Sequence, residues 1–115
     1  MNIQRLCLNG FRNYDYQWAE FSEGINVITG ENAQGKTNLL EAVYLLAAGK
    51  SFRTRFDREM VHFGYSAAEI LADLRAGGRD QTVRILMRPG VRKQITVNGA
   101  KATPGELAGK FSCVL

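Results

Sequence analysis

Ile25-Asn26-Val27-Ile28-Thr29-Gly30-Glu31-Asn32-Ala33-Gln34-Gly35-Lys36-Thr37 is the stretch that decides the fold, a short apolar β-type run opening into G-x-x-x-x-G-K-[ST]. Small residues at Gly30, Ala33 and Gly35 let successive backbone N–H groups turn inward around a phosphate. Lys36 is placed to reach the β- and γ-oxygens of a nucleotide, and the Thr37 hydroxyl to ligate Mg²⁺. Thr37 to Ala48 reads as a helix whose positive end faces the same anion, so dipole, amides and ammonium act together. All eight loop residues, Gly30, Glu31, Asn32, Ala33, Gln34, Gly35, Lys36 and Thr37, are therefore candidate ATP contacts, with Thr37 also the candidate metal ligand.

Working outward, Ile3 to Phe11 and Tyr16 to Phe21 have strand character, and Asn13-Tyr14-Asp15 supplies turn chemistry between them. Ser22-Glu23-Gly24 then turns the chain into the loop-bearing strand. A hairpin thus precedes the phosphate loop, which argues against small-molecule kinases that begin with the loop strand itself. Behind the loop, Leu39, Leu40, Val43, Leu45 and Leu46 surround most of the helix, so it is expected to be largely buried, with Gly49 as its C-terminal stop. Asp57 to Phe63 reads as a short helix capped by Asp57, with Gly64 beyond it.

From Ala67 the hydrophobic period changes to two. Ile70, Ala72 and Leu74 form one face, followed by Val83, Ile85 and Met87, then Val91, Ile95 and Val97. Gly77-Gly78, Pro89-Gly90 and Asn98-Gly99 separate these runs and describe an antiparallel meander. Thr103-Pro104-Gly105-Glu106 has a capping-box pattern with Pro at the first helical position. The expected class is α/β: a partial ABC-type ATPase head, or P-loop NTPase lobe, with a mixed or antiparallel sheet, a buried phosphate-loop helix and a β-meander. Residues 1–115 are expected to form a single incomplete domain, 1–64 carrying the hairpin, loop strand and helix, and 65–115 the meander, capped helix and a terminal strand cut short.

Composition sets bounds. The 115 residues are 45% hydrophobic and 23% charged, enough for one small domain, and the net charge of +4 permits an acidic partner. Cys7 and Cys113 lack metal-type spacing, as expected of free thiols in a reducing compartment. The longest apolar run, Ala42 to Ala48, is far too short to span a bilayer, so a cytoplasmic protein with no membrane association is expected.

Hydrolysis needs a carboxylate for Mg²⁺ and a group that positions water. Asp73, closing Glu69-Ile70-Leu71-Ala72-Asp73, is a superficial candidate, but its alternation fits the meander better. Glu31 and Glu41 read as solvent or helix-dipole residues, and His62 as structural. No catalytic triad or Cys/His set is recognisable. Arg84 and Arg88 alternate with Val83, Ile85 and Met87 on an outward face, which suits either a phosphodiester backbone or water. Phe52 and Phe56, interleaved with Arg53 and Arg55, suit stacking on unpaired bases, although anchoring in the core is the commoner role of such rings.

Taken together with its flanks, the stretch Gly30 to Ala42 resembles the RecF family of bacterial DNA repair proteins. Asn9-Gly10-Phe11-Arg12-Asn13-Tyr14 is similar to that family's opening hairpin, Lys50-Ser51-Phe52-Arg53-Thr54 to its segment after the helix, and Val97-Asn98-Gly99 to its meander turn. Heads of SMC, Rad50 and RecN type share the loop but fit the flanks less well. A small P-loop kinase or NTPase is the other alternative.

The resemblance implies an ABC-type head in which ATP with Mg²⁺ is sandwiched between two subunits, so that an ATP-dependent homodimer of the full-length protein holds DNA. It further implies single-stranded or gapped DNA as ligand, cooperation with RecR- and RecO-like proteins in loading recombinase, and a place in the SOS response. It puts Arg12 and Asn13 close to the nucleotide. The Walker B and signature motifs of such heads are not among these 115 residues, so hydrolysis by this chain alone is not expected.

Overall fold

A computed structural model describes residues 2–12, 14–20, 33–54, 56–76 and 78–106. Strands β1 (Asn2–Phe11) and β2 (Tyr14–Glu20) precede helix α1 (Ala33–Ala48). A 3-10 turn at Asp57–Met60 follows, then β3 (Ala68–Ala76), β4 (Arg79–Arg88), β5 (Val91–Val97) and β6 (Ala100–Ala102). The six strands form one sheet in the order β2-β1-β3-β4-β5-β6, and each described neighbouring pair is antiparallel. The expected Ile25 to Thr29 strand and the terminal run from Phe111 lie outside the described residues.

Alternation does the sorting. Leu6 and Leu8 of β1, Ile70, Ala72 and Leu74 of β3, Val83, Ile85 and Met87 of β4, and Ile95 and Val97 of β5 point to one side. There they form one buried cluster with Ala42, Leu45 and Leu46 of α1 and with Met60. Burying an aliphatic side chain contributes about 1.5–3 kcal/mol, so this stripe is the main force holding helix to sheet. The opposite face carries polar pairs: Arg84 bonds Glu69, and Thr82 Oγ1 donates to Asp73 Oδ1 at 3.0 Å. Arg84 and Arg88 are exposed, as their alternation predicts.

Three local expectations are corrected. Tyr14 and Asp15 belong to β2 and not to the turn before it, where Arg12 adopts φ 55°. The Asp57 to Phe63 helix is only the 3-10 turn Asp57–Met60, and the flanking cap is Phe56 with no side-chain bond. Thr54 Oγ1 instead accepts from the Phe56 N–H at 3.0 Å. Val91 is 46% exposed and does not share the face of Ile95 and Val97, because the β4–β5 register shifts between Leu86 and Arg88. That bulge inverts the side-chain parity of β5.

The turn residues behave as their chemistry dictates. Asn98 and Gly99 both have positive φ, 53° and 84°, as a two-residue hairpin requires. The Asn98 Oδ1 accepts from the Thr82 N–H at 2.9 Å, stitching the turn back onto β4. Glu106 N–H donates to Thr103 Oγ1 at 3.1 Å, which is the capping bond expected at that end.

Candidate phosphate-binding site and the adjoining cleft

Helix α1 begins at Ala33, four residues earlier than the expected Thr37, so Gly35, Lys36 and Thr37 lie in its opening turns. The first N–H groups of any helix have no intrahelical acceptor and carry the positive end of its dipole. No acidic residue occupies this first turn. A sequence selected only for helix stability places Asp or Glu there. The sequence has the basic residue Lys36 in this turn instead, a choice that suits an anionic ligand. Gly30, Glu31, Asn32 and Asn13 lie outside the described residues, and for Ala33, Gln34, Gly35, Lys36 and Thr37 the backbone alone is described.

One turn beyond Thr37, the helix turns inward a carboxylate that its sequence context marks as a solvent or helix-dipole residue. Glu41 is fully buried and sits at the centre of a polar network. Arg12 grips it with two parallel bonds, Nε to Oε1 and Nη2 to Oε2, each 2.7 Å. Ser51 Oγ donates to Oε2 at 2.5 Å, and Arg53 Nη1 stands 3.5 Å from Oε1. Arg53 also donates to Oδ1 of buried Asn38 at 2.7 Å. Expected to be buried, Leu40 is 38% exposed, while Glu41 and Ala42 take the inward positions.

Burial alone raises the pKa of Glu41. The hydrogen bonds from Arg12 and Ser51 and the charges of Arg12 and Arg53 outweigh it, holding the carboxyl below its ordinary value. Arg12 is shifted the other way, its guanidinium held protonated chiefly by the bond to Glu41 against the cost of desolvation. The pair is thus ionised on both sides.

The corner that delivers Arg12 is itself pinned. Its N–H donates to the Met60 carbonyl at 2.7 Å, and its own carbonyl lies 2.6 Å from His62 Nδ1, which must carry the proton because a carbonyl only accepts. His62 N–H donates to the Gly10 carbonyl at 2.7 Å. His62 has the structural role expected of it. Arg12 Nη1 further donates to the Glu59 carbonyl at 3.0 Å. Arg12 therefore reaches the phosphate-loop helix, and the group it meets there is Glu41. The signal for this contact was a Glu four residues after Thr37, with cations at Arg12 and Arg53 available to it.

Beside the network lies a cleft of about 780 Å³, lined by Tyr44, Lys50, Ser51, Phe52, Arg53, Thr54, Phe56 and Glu59. Phe52 and Phe56 are 45% and 46% exposed, so neither is a core anchor. Phe52 meets Tyr44 edge to face at 5.4 Å, and the Arg58 guanidinium lies 4.8 Å from the centre of the Phe56 ring. Asp73, the weaker metal-carboxylate candidate, is on the polar face of the sheet near Thr82 and 3.9 Å from Arg5. Among the described residues no cluster of His, Cys, Asp and Glu could hold a metal ion. No described helix is long and apolar enough to cross a membrane.

Sheet, helix and loop sequence define a partial P-loop lobe of an ABC-type ATPase head. Residues 2–112 match the RecF/RecN/SMC N-terminal domain, and the chain belongs to that family. It is 44% identical over its whole length to the DNA replication and repair protein RecF of Symbiobacterium thermophilum, of which it covers 31%. Among solved structures, the recombination mediator protein RecF with ATP, from the RecFOR pathway, superposes over 95% of this chain and 31% of its own. That match has a TM-score of 0.86 and 37% identity. An SMC ATPase structure shares the fold over 96% of this chain and 77% of its own, with a TM-score of 0.82 at 24% identity. The chain spans about a third of the length of the RecF relatives it matches.

Proposed function

We propose that the chain is the ATP-binding N-terminal part of a RecF-like DNA replication and repair protein. The observation that carries this reading is the loop sequence running into a helix whose first turn holds Lys36 and no carboxylate. Gly30 to Thr37 wrap the triphosphate, Lys36 neutralises the β- and γ-oxygens, and the Thr37 hydroxyl ligates Mg²⁺. Arg12, fixed on Glu41, and Asn13 border the nucleotide. The higher identity at a similar TM-score supports RecF over the SMC alternative, and the RecF neighbour solved with ATP supports the nucleotide.

On this reading, ATP closes a homodimer of the full-length protein on single-stranded or gapped DNA. RecR- and RecO-like proteins are its partners in recombinase loading and the SOS response. Hydrolysis draws on motifs outside these residues. Lys36→Ala tests the site: losing a charge-assisted bond worth about 1.5–3 kcal/mol weakens ATP binding roughly tenfold to more than a hundredfold in a titration. An unaltered titration removes Lys36 from the role. Retention of DNA with and without ATP separates a nucleotide-dependent binder from one that ignores nucleotide.

A further inference from the structure

We infer that the cleft beside α1 is a stacking site for unpaired bases of single-stranded nucleic acid, with Phe52 and Phe56 as the platforms and Lys50 as the backbone contact. The inference rests on the DNA-binding reading above and assigns residues to it. Large apolar rings are normally withdrawn from water, yet both phenylalanines are half-exposed within one concavity. Phe52 stands perpendicular to Tyr44, a contact that fixes the ring, and the Arg58 guanidinium lies over the Phe56 ring and brings positive charge to that platform.

The charges select the same ligand. Among the described residues, Lys50 and Arg53 line the cleft with Arg58 alongside, against the carboxylates of Glu59 and of Glu41, the latter shared between Arg53 and Arg12. Arg53 is held by Asn38 and Glu41, so it supplies a fixed positive field, while exposed Lys50 is placed to follow a phosphate. A groove with net positive charge and aromatic platforms suits a single strand, whose bases are open to stacking. Duplex bases are already stacked on each other and gain little from the rings. The rings stand away from the phosphate loop, since Tyr44, which Phe52 contacts, lies seven residues past Thr37, about 10 Å along the helix axis, whereas Arg53 reaches back to Asn38 at the start of the helix.

The test is fluorescence anisotropy, with ATP present, of a labelled oligo(dT) strand and of a labelled duplex, each with the full-length protein carrying Phe52→Ala and Phe56→Ala, alongside an ATP titration of the same variant. The expected result is a loss of single-strand affinity of about fivefold to more than a hundredfold, with duplex and ATP affinity nearly unchanged. Phe52→Tyr with Phe56→Tyr, which keeps the rings, restores binding. Lys50→Ala lowers the slope of log affinity against log salt by about 0.7, whereas the ring variants leave that slope alone. Single-strand affinity indifferent to ring removal, or an equal loss for strand, duplex and ATP, overturns the site while DNA binding by the chain stands. Full-length wild-type protein that retains neither DNA in the presence of ATP overturns the DNA-binding reading and the site with it.

Discussion

Arg12 and Glu41, 29 residues apart, form a bidentate ion pair that bolts the β1–β2 corner to the phosphate-loop helix. The carboxylate is fully buried and the guanidinium side chain only 17% exposed, so removing one partner strands the other away from water. Glu41→Ala is expected to cost about 3–5 kcal/mol, read as a lower urea midpoint with an unchanged m-value. Arg12→Met with Glu41→Met recovers much of that loss, since neither charge then remains buried. A double variant no more stable than Glu41→Ala contradicts the account. Arg12→Lys does not substitute, because an ammonium cannot make the two parallel bonds.

The same pair predicts how stability follows pH. Glu41 is more acidic folded than unfolded, so its contribution is complete above the unfolded carboxyl value of about 4.3 and is lost as pH falls through the lower folded value. The contribution of Arg12 runs in the opposite sense, complete below the unfolded guanidinium value and lost only in strong alkali. Comparing wild type with Glu41→Gln in urea from about pH 7 down to about pH 3 should show the wild-type advantage shrinking at the acid end. A constant advantage across that range counts against the ionised pair.

Those predictions rest on a residue that the sequence hides, and the reason is physical. Periodicity treats a lone carboxylate among leucines as an interruption, so Glu41 reads as solvent-facing; its partners Arg12 and Ser51 come from separate segments that only the tertiary fold brings together. The same blindness applies to Phe52 and Phe56, which sit in a connector without a repeating pattern to orient them. The meander was legible because period-two alternation and the Gly-Gly, Pro-Gly and Asn-Gly turns are local properties. Strand β6 was not legible, since three residues, Ala100–Ala102, are too few for a pattern and are held by pairing with β5. The G-x-x-x-x-G-K-T pattern is readable before any helix is placed, because its glycines, lysine and hydroxyl each answer a requirement that a phosphate ligand imposes.

Gly49 ends α1 with φ 73°, its N–H bonded to the Leu45 carbonyl at 2.8 Å. A Cβ added there would stand 2.7 Å from the Pro104 backbone, so Gly49→Ala meets both a left-handed backbone and a collision. Gly64, at φ 87°, has nothing within 4 Å of the same added atom. Gly64→Ala is therefore expected to cost about 1 kcal/mol for backbone conformation alone, and Gly49→Ala distinctly more. Thermal melts of the two variants decide it, and equal shifts would show that Pro104 does not press on the helix end.

The bulge in β5 makes the last prediction, because it separates two aliphatic residues that plain alternation puts on one face. Ile95 is 3% exposed and sits beside Ile85 of the neighbouring strand on the core face, whereas Val91 is 46% exposed opposite Arg88. Ile95→Ala removes buried methyl groups and leaves a cavity, an expected loss of about 2–5 kcal/mol. Val91→Ala removes groups already half in water and is expected to change stability by less than about 0.5 kcal/mol. If the register ran without the bulge, Val91 would face inward with Ile95 and both truncations would be severe. Urea midpoints for the two variants therefore report on the strand register directly: a large loss for Val91→Ala means the bulge is absent in solution.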